Sequence, residues 1–100
     1  MIDLSVVEAF VWDDGNNRKS IEKHGVSQAE AEQVFFNEPL LLLDDVKHSQ
    51  NEPRFHALGR TNEDRLLHVS FTMREQGRLL RVISARDMHR KERHRYGQET

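Results

Sequence analysis

The chain has 100 residues, of which 36% are hydrophobic and 32% charged, with a formal net charge of −2 and no cysteine. This length suffices for one compact domain, so we expect a single domain over residues 1–100. The lack of cysteine excludes disulfides, thiolate catalysis and cysteine-based zinc sites. The longest apolar run, residues 40–43, is too short to cross a bilayer, and no basic region precedes the apolar residues of the N-terminus. We therefore expect a cytoplasmic protein without a signal peptide or a membrane partner.

The first strand is predicted in AFVWDD, from its aromatic and apolar content. A helix through NNRKSIEKHG follows, with Asp13 or Asp14 as its N-cap. Gly25 suits the left-handed residue that ends such a helix, and Val26 would then pack back on Ile21.

A second helix is predicted to begin at SQAE, where Ser27 is the N-cap and Glu30 completes a capping box. Ala31, Val34 and Phe35 fall on one face of this helix. Asn37 and Pro39 are expected to end it.

Four strands then follow: LLLLDD, RFHALGR, RLLHVSFTM and LLRVISAR, with polar turns at TNEDR and REQGR. The closing helix is predicted to be capped by Asp87 and ended by Gly97. The order β-α-α-β-β-β-β-α predicts an α+β domain with a mainly antiparallel sheet. The alternation of apolar and polar residues predicts one apolar sheet face, which should receive the helices, and one partly polar face.

Positive charge is concentrated near the C-terminus. Residues 1–52 carry a net charge of −7, from four Lys/Arg and eleven Asp/Glu, whereas residues 53–100 carry +5, from eleven and six. Residues 78–95 alone hold seven Lys/Arg against Asp87 and Glu92. Arginine suits phosphate recognition, so this segment indicates an interface for a polyanion. The alternative is a solvated basic helix that pairs with the acidic N-terminal half.

The histidines offer candidates for proton transfer but no metal site. Their spacing matches no metal-binding motif, so we expect neither a metal nor another cofactor. His24 could act as a general acid or base, or simply be a cation at a helix end. His68 suits a partly buried strand position better than a catalytic one. Tyr96 could stack on a base or pack on the sheet rim.

The ordered motifs of the chain resemble those of the BrnT family. WDDGNNRKSIEKHGVS resembles the family's opening block, and EPRFHALGRT, FT and RVISARDMHRKERHRY resemble its later blocks. The resemblance extends from about Phe10 to Tyr96. It implies a RelE-like fold and a toxin of a type II toxin–antitoxin system, which cleaves RNA without metal and thereby inhibits translation and growth. It also implies a BrnA-type antitoxin, a complex of two toxins and two antitoxins, and operator-DNA contacts made only by the antitoxin.

The same resemblance nominates site residues. Metal-free RNA cleavage needs a base for the 2′-hydroxyl, an acid for the leaving 5′-oxygen and cations for the phosphorane charge. Arg60, Arg81 and Arg86 would supply the cations, and Lys23 or His24 would transfer protons. The positions expected to bind RNA are Thr72, Arg90, Arg93 and Tyr96. Two alternatives stay open: a non-catalytic RNA- or partner-binding module, and an inactive homologue of the toxin.

Overall fold

The computed structural model describes residues 3–16, 23–48 and 52–100. In this part of the chain, five strands form one sheet in the order β1-β5-β4-β3-β2. The strands are β1 Ala9–Val11, β2 Leu41–Asp44, β3 Arg54–Arg60, β4 Leu66–Arg74 and β5 Leu79–Asp87. β1 is parallel to β5 and every other pair is antiparallel.

Two α-helices, α1 Gln28–Gln33 and α2 Arg90–Glu99, accompany the sheet, with 3₁₀ helices at Leu4–Val6, Val34–Phe36 and Val46–His48. Residues 14–16 and 23–24 are helical as well. The predicted α+β class and its order of elements are therefore confirmed.

Local signals set the helix boundaries before α1. The Asp13 carboxylate accepts a hydrogen bond from the backbone N–H of Asn16 at 3.1 Å, as an N-cap does. Gly25 has a φ of 64°, the left-handed conformation predicted for it. The capping box of Ser27 and Glu30 is present as predicted. The predicted partner of Val26, Ile21, lies outside the described residues.

One face of the sheet, here called the core face, packs against α1 and the 3₁₀ helix that follows it. Ala31 and Val34 are fully buried against strand residues of this face, which include Ala57, Leu67, Val69, Phe71, Leu80, Val82 and Ala85. Gly59 of β3 lies directly under Val34, and a Cβ built on it would come within 2.8 Å of a Val34 methyl group. Glycine is thus required here by close approach.

The opposite side of the sheet, here called the second face, carries α2. Met88 and Tyr96 pack on Leu58 there, beside the partly buried residues Leu41, Leu43 and Leu66. The prediction that the apolar face receives the helices is therefore wrong for α2. The physical reason is that these leucines make one end of the second face apolar as well.

The boundaries of α2 also differ from the prediction. Asp87 is the last residue of β5, paired with Leu67, and the N-cap of α2 is His89. The helix continues past Gly97 to Glu99. Glycine costs only about 1 kcal/mol inside a helix, which is too little to end one that is already packed on the sheet.

Candidate functional site

The second face is built from cross-strand rows that run over β3, β4 and β5. Leu58, His68 and Arg86 form one row, and Arg54, Thr72 and Arg81 form another. Arg81 and Arg86 are five residues apart, so a regular strand would place them on opposite faces. The register shift between Ser70 and Phe71 lets Val82 and Ser84 pair with adjacent residues of β4, and this bulge brings both arginines to one face.

A polar cluster lies where α2 crosses this face. It consists of Asp45, His56, His68, Arg86 and Glu92, and is called the histidine cluster below. The Nε2 atom of His56 lies 3.0 Å from Oδ2 of Asp45, and the rings of His56 and His68 are 4.4 Å apart. His68 Nε2 lies 3.7 Å from Oε2 of Glu92. Arg86 forms two hydrogen bonds with Glu92, at 2.7 and 2.9 Å.

The surroundings shift the protonation of two cluster members. Burial, reinforced by the charge of Arg86, lowers the pKa of His68 to about 4, although Glu92 acts in the opposite direction. His68 is therefore neutral at pH 7. Burial would raise the pKa of Glu92, but hydrogen bonds from Arg86 and from the His89 backbone outweigh it and lower that pKa to about 2. Glu92 is thus ionised.

The cluster opens into a cleft of about 250 Å³ between the sheet and α2. Its floor is Leu43 and Leu58, and its polar lining is His56, His68, Lys91, Glu92 and Arg95. His56 is the more accessible histidine, since its side chain is 29% exposed and that of His68 only 8%. A cleft with an apolar floor, cations at the rim and an accessible imidazole can hold a phosphate beside a group that transfers protons.

The model of a protein family matches residues 12–92, and the family is described as ribonuclease toxin, BrnT, of type II toxin–antitoxin system. The chain belongs to the BrnT family. Among curated proteins, none matches this chain. The family match covers β2 to β5 and every member of the histidine cluster. Membership makes the chain a ribonuclease toxin of a type II toxin–antitoxin system.

The described residues include neither a membrane-spanning helix nor a cluster of metal ligands. Within residues 3–16, 23–48 and 52–100, no helix is long and apolar enough to cross a membrane. The same residues contain no group of three or more His, Asp or Glu side chains arranged to hold a metal ion.

Asn16, from the opening block that resembles the BrnT family, connects β1 to β5. Asn16 is only 2% exposed, and its side-chain amide donates to the carbonyls of Val11 and Val82, both at 2.9 Å. It also accepts from the backbone N–H of Asp13 at 2.6 Å. Asn16 thus locks the end of β1 to β5 and fixes Asp13 beside Arg81.

The three arginines predicted to act as a clamp lie far apart along the second face. Arg60 pairs with Leu66, Arg86 with His68 and Arg81 with Thr72. At about 3.3 Å per residue, Arg86 and Arg81 are separated by about 13 Å, and Arg60 and Arg81 by about 20 Å. The structure therefore spreads them along the second face and does not bring them around one phosphate-sized site.

Each outer arginine has its own partners. The Arg60 guanidinium lies 5.8 Å from the centre of the Tyr96 ring and donates to the Asp64 carboxylate at 3.3 Å. Arg81 donates to Asp13 at 3.2 Å, and its buried Nε has no hydrogen-bond partner in the described structure. Both side chains stay partly exposed, at 37% and 19%.

Two of the residues predicted to bind RNA are buried. Tyr96 is 3% exposed and donates its hydroxyl to the Pro39 carbonyl at 2.5 Å. Thr72 is fully buried and donates to the Pro53 carbonyl at 2.6 Å. Neither presents a free surface here, whereas Arg90 and Arg93 of α2 are exposed, and Arg93 donates to the Met88 carbonyl at 2.8 Å.

Lys23 and His24 lie at a different place, beside Arg65. The Arg65 guanidinium binds Asp87 at 2.7 and 3.0 Å, Glu30 at 3.1 Å, and the carbonyls of Gly25 and His24 at 3.0 and 3.4 Å. These bonds lower the pKa of Asp87. His24 is therefore near the end of β5, on the core-face side, while Lys23 is exposed.

Sequence reasoning missed Asp45, His56 and Arg65 and set His68 aside. A signal for the histidines was available, because a five-residue turn between RFHALGR and LLHVSFTM sets the register of that hairpin. His56 and His68 then fall on one face in diagonal positions, close enough for aromatic side chains to meet.

Proposed function

We propose that this BrnT-family chain is a metal-independent endoribonuclease that cuts RNA on its second face and thereby arrests translation and growth. The observation that carries the proposal is the family match over residues 12–92, which contains the strands and cluster described above. The local geometry supports it, because the cleft beside α2 combines cations with an accessible imidazole.

The chemistry suits these side chains. The 2′-oxygen attacks the adjacent phosphorus, the P–O5′ bond breaks, and the products are a 2′,3′-cyclic phosphate and a 5′-hydroxyl. Arginine can stabilise the charge of the phosphorane without a metal, since it donates paired hydrogen bonds to phosphate oxygens. Of the three arginines nominated by the resemblance, Arg86 is the one bonded to a residue of the cleft lining, Glu92, and it is proposed to act at the phosphate that is cut.

The other nominated residues are proposed to act around that centre. Arg60 and Arg81 would hold phosphates on either side of the cut, with Tyr96 and Thr72 supporting them from below. Arg90 and Arg93 would contact RNA from α2. Lys23 and His24 would meet the RNA strand, or transfer protons, at the end of the sheet.

We further propose that a BrnA-type antitoxin neutralises the chain in a complex of two toxins and two antitoxins. An acidic segment of the antitoxin would cover the second face, where Arg90 and Lys91 are exposed. Contacts to operator DNA would be made by the antitoxin alone.

The test combines cells and purified protein. Induced expression in a bacterial host should arrest growth and degrade RNA, and co-expression of the neighbouring small open reading frame should restore both. Purified protein should cleave RNA in excess EDTA. Intact RNA in both assays, from folded protein that still binds RNA, would favour the non-catalytic binding module or the inactive homologue instead.

A further inference from the structure

We propose that His56 is the general base that takes the proton from the 2′-hydroxyl of an RNA substrate bound in the cleft beside α2. This inference rests on the proposed ribonuclease function and names a residue that the resemblance to the BrnT family did not nominate. It replaces Lys23 and His24 in that role, because both lie at the end of the sheet beside Arg65, away from Arg86 and the cleft.

The contact with Asp45 sets which ring nitrogen of His56 carries the hydrogen in the neutral imidazole. Asp45 is buried, with 8% of its surface exposed, and its backbone N–H donates to the Arg54 carbonyl at 2.9 Å. Its carboxylate faces His56 Nε2 at 3.0 Å. A carboxylate is an acceptor only, so Nε2 carries the hydrogen and Nδ1 carries the lone pair. This is the division of roles that a carboxylate imposes on a catalytic histidine.

His68 supports His56 from beneath. Its ring is 4.4 Å from that of His56, and its side chain is 8% exposed, so it presents much less of its ring to the cleft than His56 does. Since it stays neutral at pH 7, it does not add a positive charge beside the base.

The rest of the cleft suits a single nucleotide step. Leu43 and Leu58 form an apolar floor against which a ribose or base can pack, and Lys91 and Arg95 stand at the rim where a phosphate would lie. Arg86 is bonded to Glu92 of the cleft lining at 2.7 Å. The ligand class is therefore single-stranded RNA, with the phosphate between the rim cations and the 2′-oxygen toward His56.

Cleavage of the RNA moves one proton to His56 and one proton from Lys91. The 2′-O–H bond breaks and its proton moves to Nδ1 of His56, while the 2′-oxygen forms a bond to phosphorus. The P–O5′ bond breaks, and O5′ takes a proton from the Lys91 ammonium at the rim. The cyclic phosphate and the 5′-hydroxyl leave, and solvent restores both side chains.

The test compares His56→Gln with a matched histidine variant, His94→Gln, which lies exposed on α2 and outside the cleft. Single-turnover cleavage of a labelled RNA oligonucleotide is measured in EDTA from pH 5 to 9. Binding of the same RNA with 2′-O-methyl groups, which cannot be cut, is measured in parallel. We expect His56→Gln to lose about 10²-fold or more in rate, with near-normal RNA binding, and His94→Gln to match the wild type.

The wild-type pH profile supplies a second, independent measurement. The charged or titratable groups that face His56 are Asp45 from the β2–β3 connection, His68 and Arg86 from the sheet, and Lys91, Glu92 and Arg95 from α2. The rise in rate with pH should follow the titration of the His56 ring observed by NMR in the wild type. This readout holds even if His56→Gln does not fold.

The outcomes separate the two proposals. A wild-type protein that cleaves RNA while His56→Gln keeps its rate and profile would overturn the role of His56 and leave the ribonuclease function standing. A pH profile unrelated to the His56 titration would do the same. A folded wild type that binds but does not cleave RNA would overturn the ribonuclease function itself.

Discussion

Arg86 of β5 and Glu92 of α2 form a bidentate ion pair, with Nη1 2.7 Å from Oε1 and Nη2 2.9 Å from Oε2. Glu92 also accepts from the backbone N–H of His89 at 2.8 Å, so one carboxylate both starts α2 and ties it to the sheet. The pair holds the helix over the histidine cluster. Arg86 is therefore held in a fixed position, with a carboxylate beside it that moderates its charge.

Replacing Glu92 by Gln should destabilise the fold by about 1–3 kcal/mol, because it removes the charge that pairs with a three-quarters-buried Arg86 side chain. Urea unfolding followed by circular dichroism measures this. Glu99→Gln is the matched control: Glu99 pairs with Arg95, but both side chains are about half exposed, so its loss should cost less than about 1 kcal/mol. Equal midpoints for the two variants would contradict a structural role for the Arg86–Glu92 pair.

Substitution of Arg60, Arg81 and Arg86 should affect RNA cleavage to different extents, with the largest loss of rate at the arginine nearest to the bond that is cut. Arg86→Gln should lower the RNA cleavage rate by about 10²-fold or more, as loss of a donor to a developing anion does. Arg60→Gln and Arg81→Gln should mainly weaken RNA binding. Arg74→Gln, an exposed arginine beyond the site with one 3.7 Å ion pair, should behave as the wild type. Full activity in a folded Arg86→Gln protein would remove Arg86 from the site.

The Arg65 network should stabilise the fold. Arg65→Met removes bonds to Asp87, Glu30 and two carbonyls, which join β5, α1 and the helical residues 23–24. We expect a loss of about 1–3 kcal/mol in the free energy of unfolding, since this side chain is 30% exposed. Arg74→Met should change it by less than about 0.5 kcal/mol. Indistinguishable urea midpoints would show that the network contributes nothing measurable.

Stability should fall in mild acid because of His68. Its pKa is about 4 in the folded chain against 6.5 when unfolded, so the unfolded chain binds the proton more readily. Neutral His68 therefore contributes to the free energy of unfolding. This contribution is full above pH 6.5 and declines as the pH falls toward 4, by a total on the order of 3 kcal/mol. Glu92, with its pKa lowered to about 2, adds a second loss below about pH 4.5. Thermal melts from pH 7 to pH 4 measure the loss due to His68. In His68→Gln, the melting temperature should change less over this pH range than in the wild type. A wild-type melting temperature that does not change from pH 7 to pH 4 would contradict it.

Replacement of a glycine by alanine should lower the stability of the fold at Gly59 and raise it at Gly97. Gly59→Ala would place a Cβ 2.8 Å from a Val34 methyl group and 3.3 Å from the Val34 carbonyl, so we expect a loss of about 1–3 kcal/mol. Gly97→Ala adds its Cβ to open space within α2 and should stabilise the chain by up to about 1 kcal/mol. The melting temperatures of both variants test this prediction. A Gly59→Ala protein with the wild-type melting temperature would contradict it and would mean that Val34 can move aside.

The sequence predicted those elements whose signals are local. The β3 strand lies at Arg54–Arg60 as its alternation indicated, and the capping box of Ser27 forms with Glu30 three residues away. Strand alternation and helix caps depend on near neighbours alone, so they can be recognised without knowing the fold.

What the sequence left open depends on contacts between distant residues. The bulge that brings Arg81 and Arg86 to one face arises from pairing between β4 and β5, and no residue pattern marks it. Arg65 reaches Gly25 across 40 positions of the chain. The side on which α2 packs follows from leucines of three strands, whose common patch exists only once the sheet is assembled.

In the proposed function, RNA binds in the cleft between the sheet and α2. Amide chemical shifts of the isotope-labelled protein, titrated with an RNA oligonucleotide carrying 2′-O-methyl groups, test this directly because the ligand stays uncut. We predict that the largest shifts fall on His56, His68 and Arg86 and on the three residues of α2 that line the cleft, Lys91, Glu92 and Arg95. Shifts confined to the surface around Lys23 and His24, with the cleft unchanged, would contradict the account.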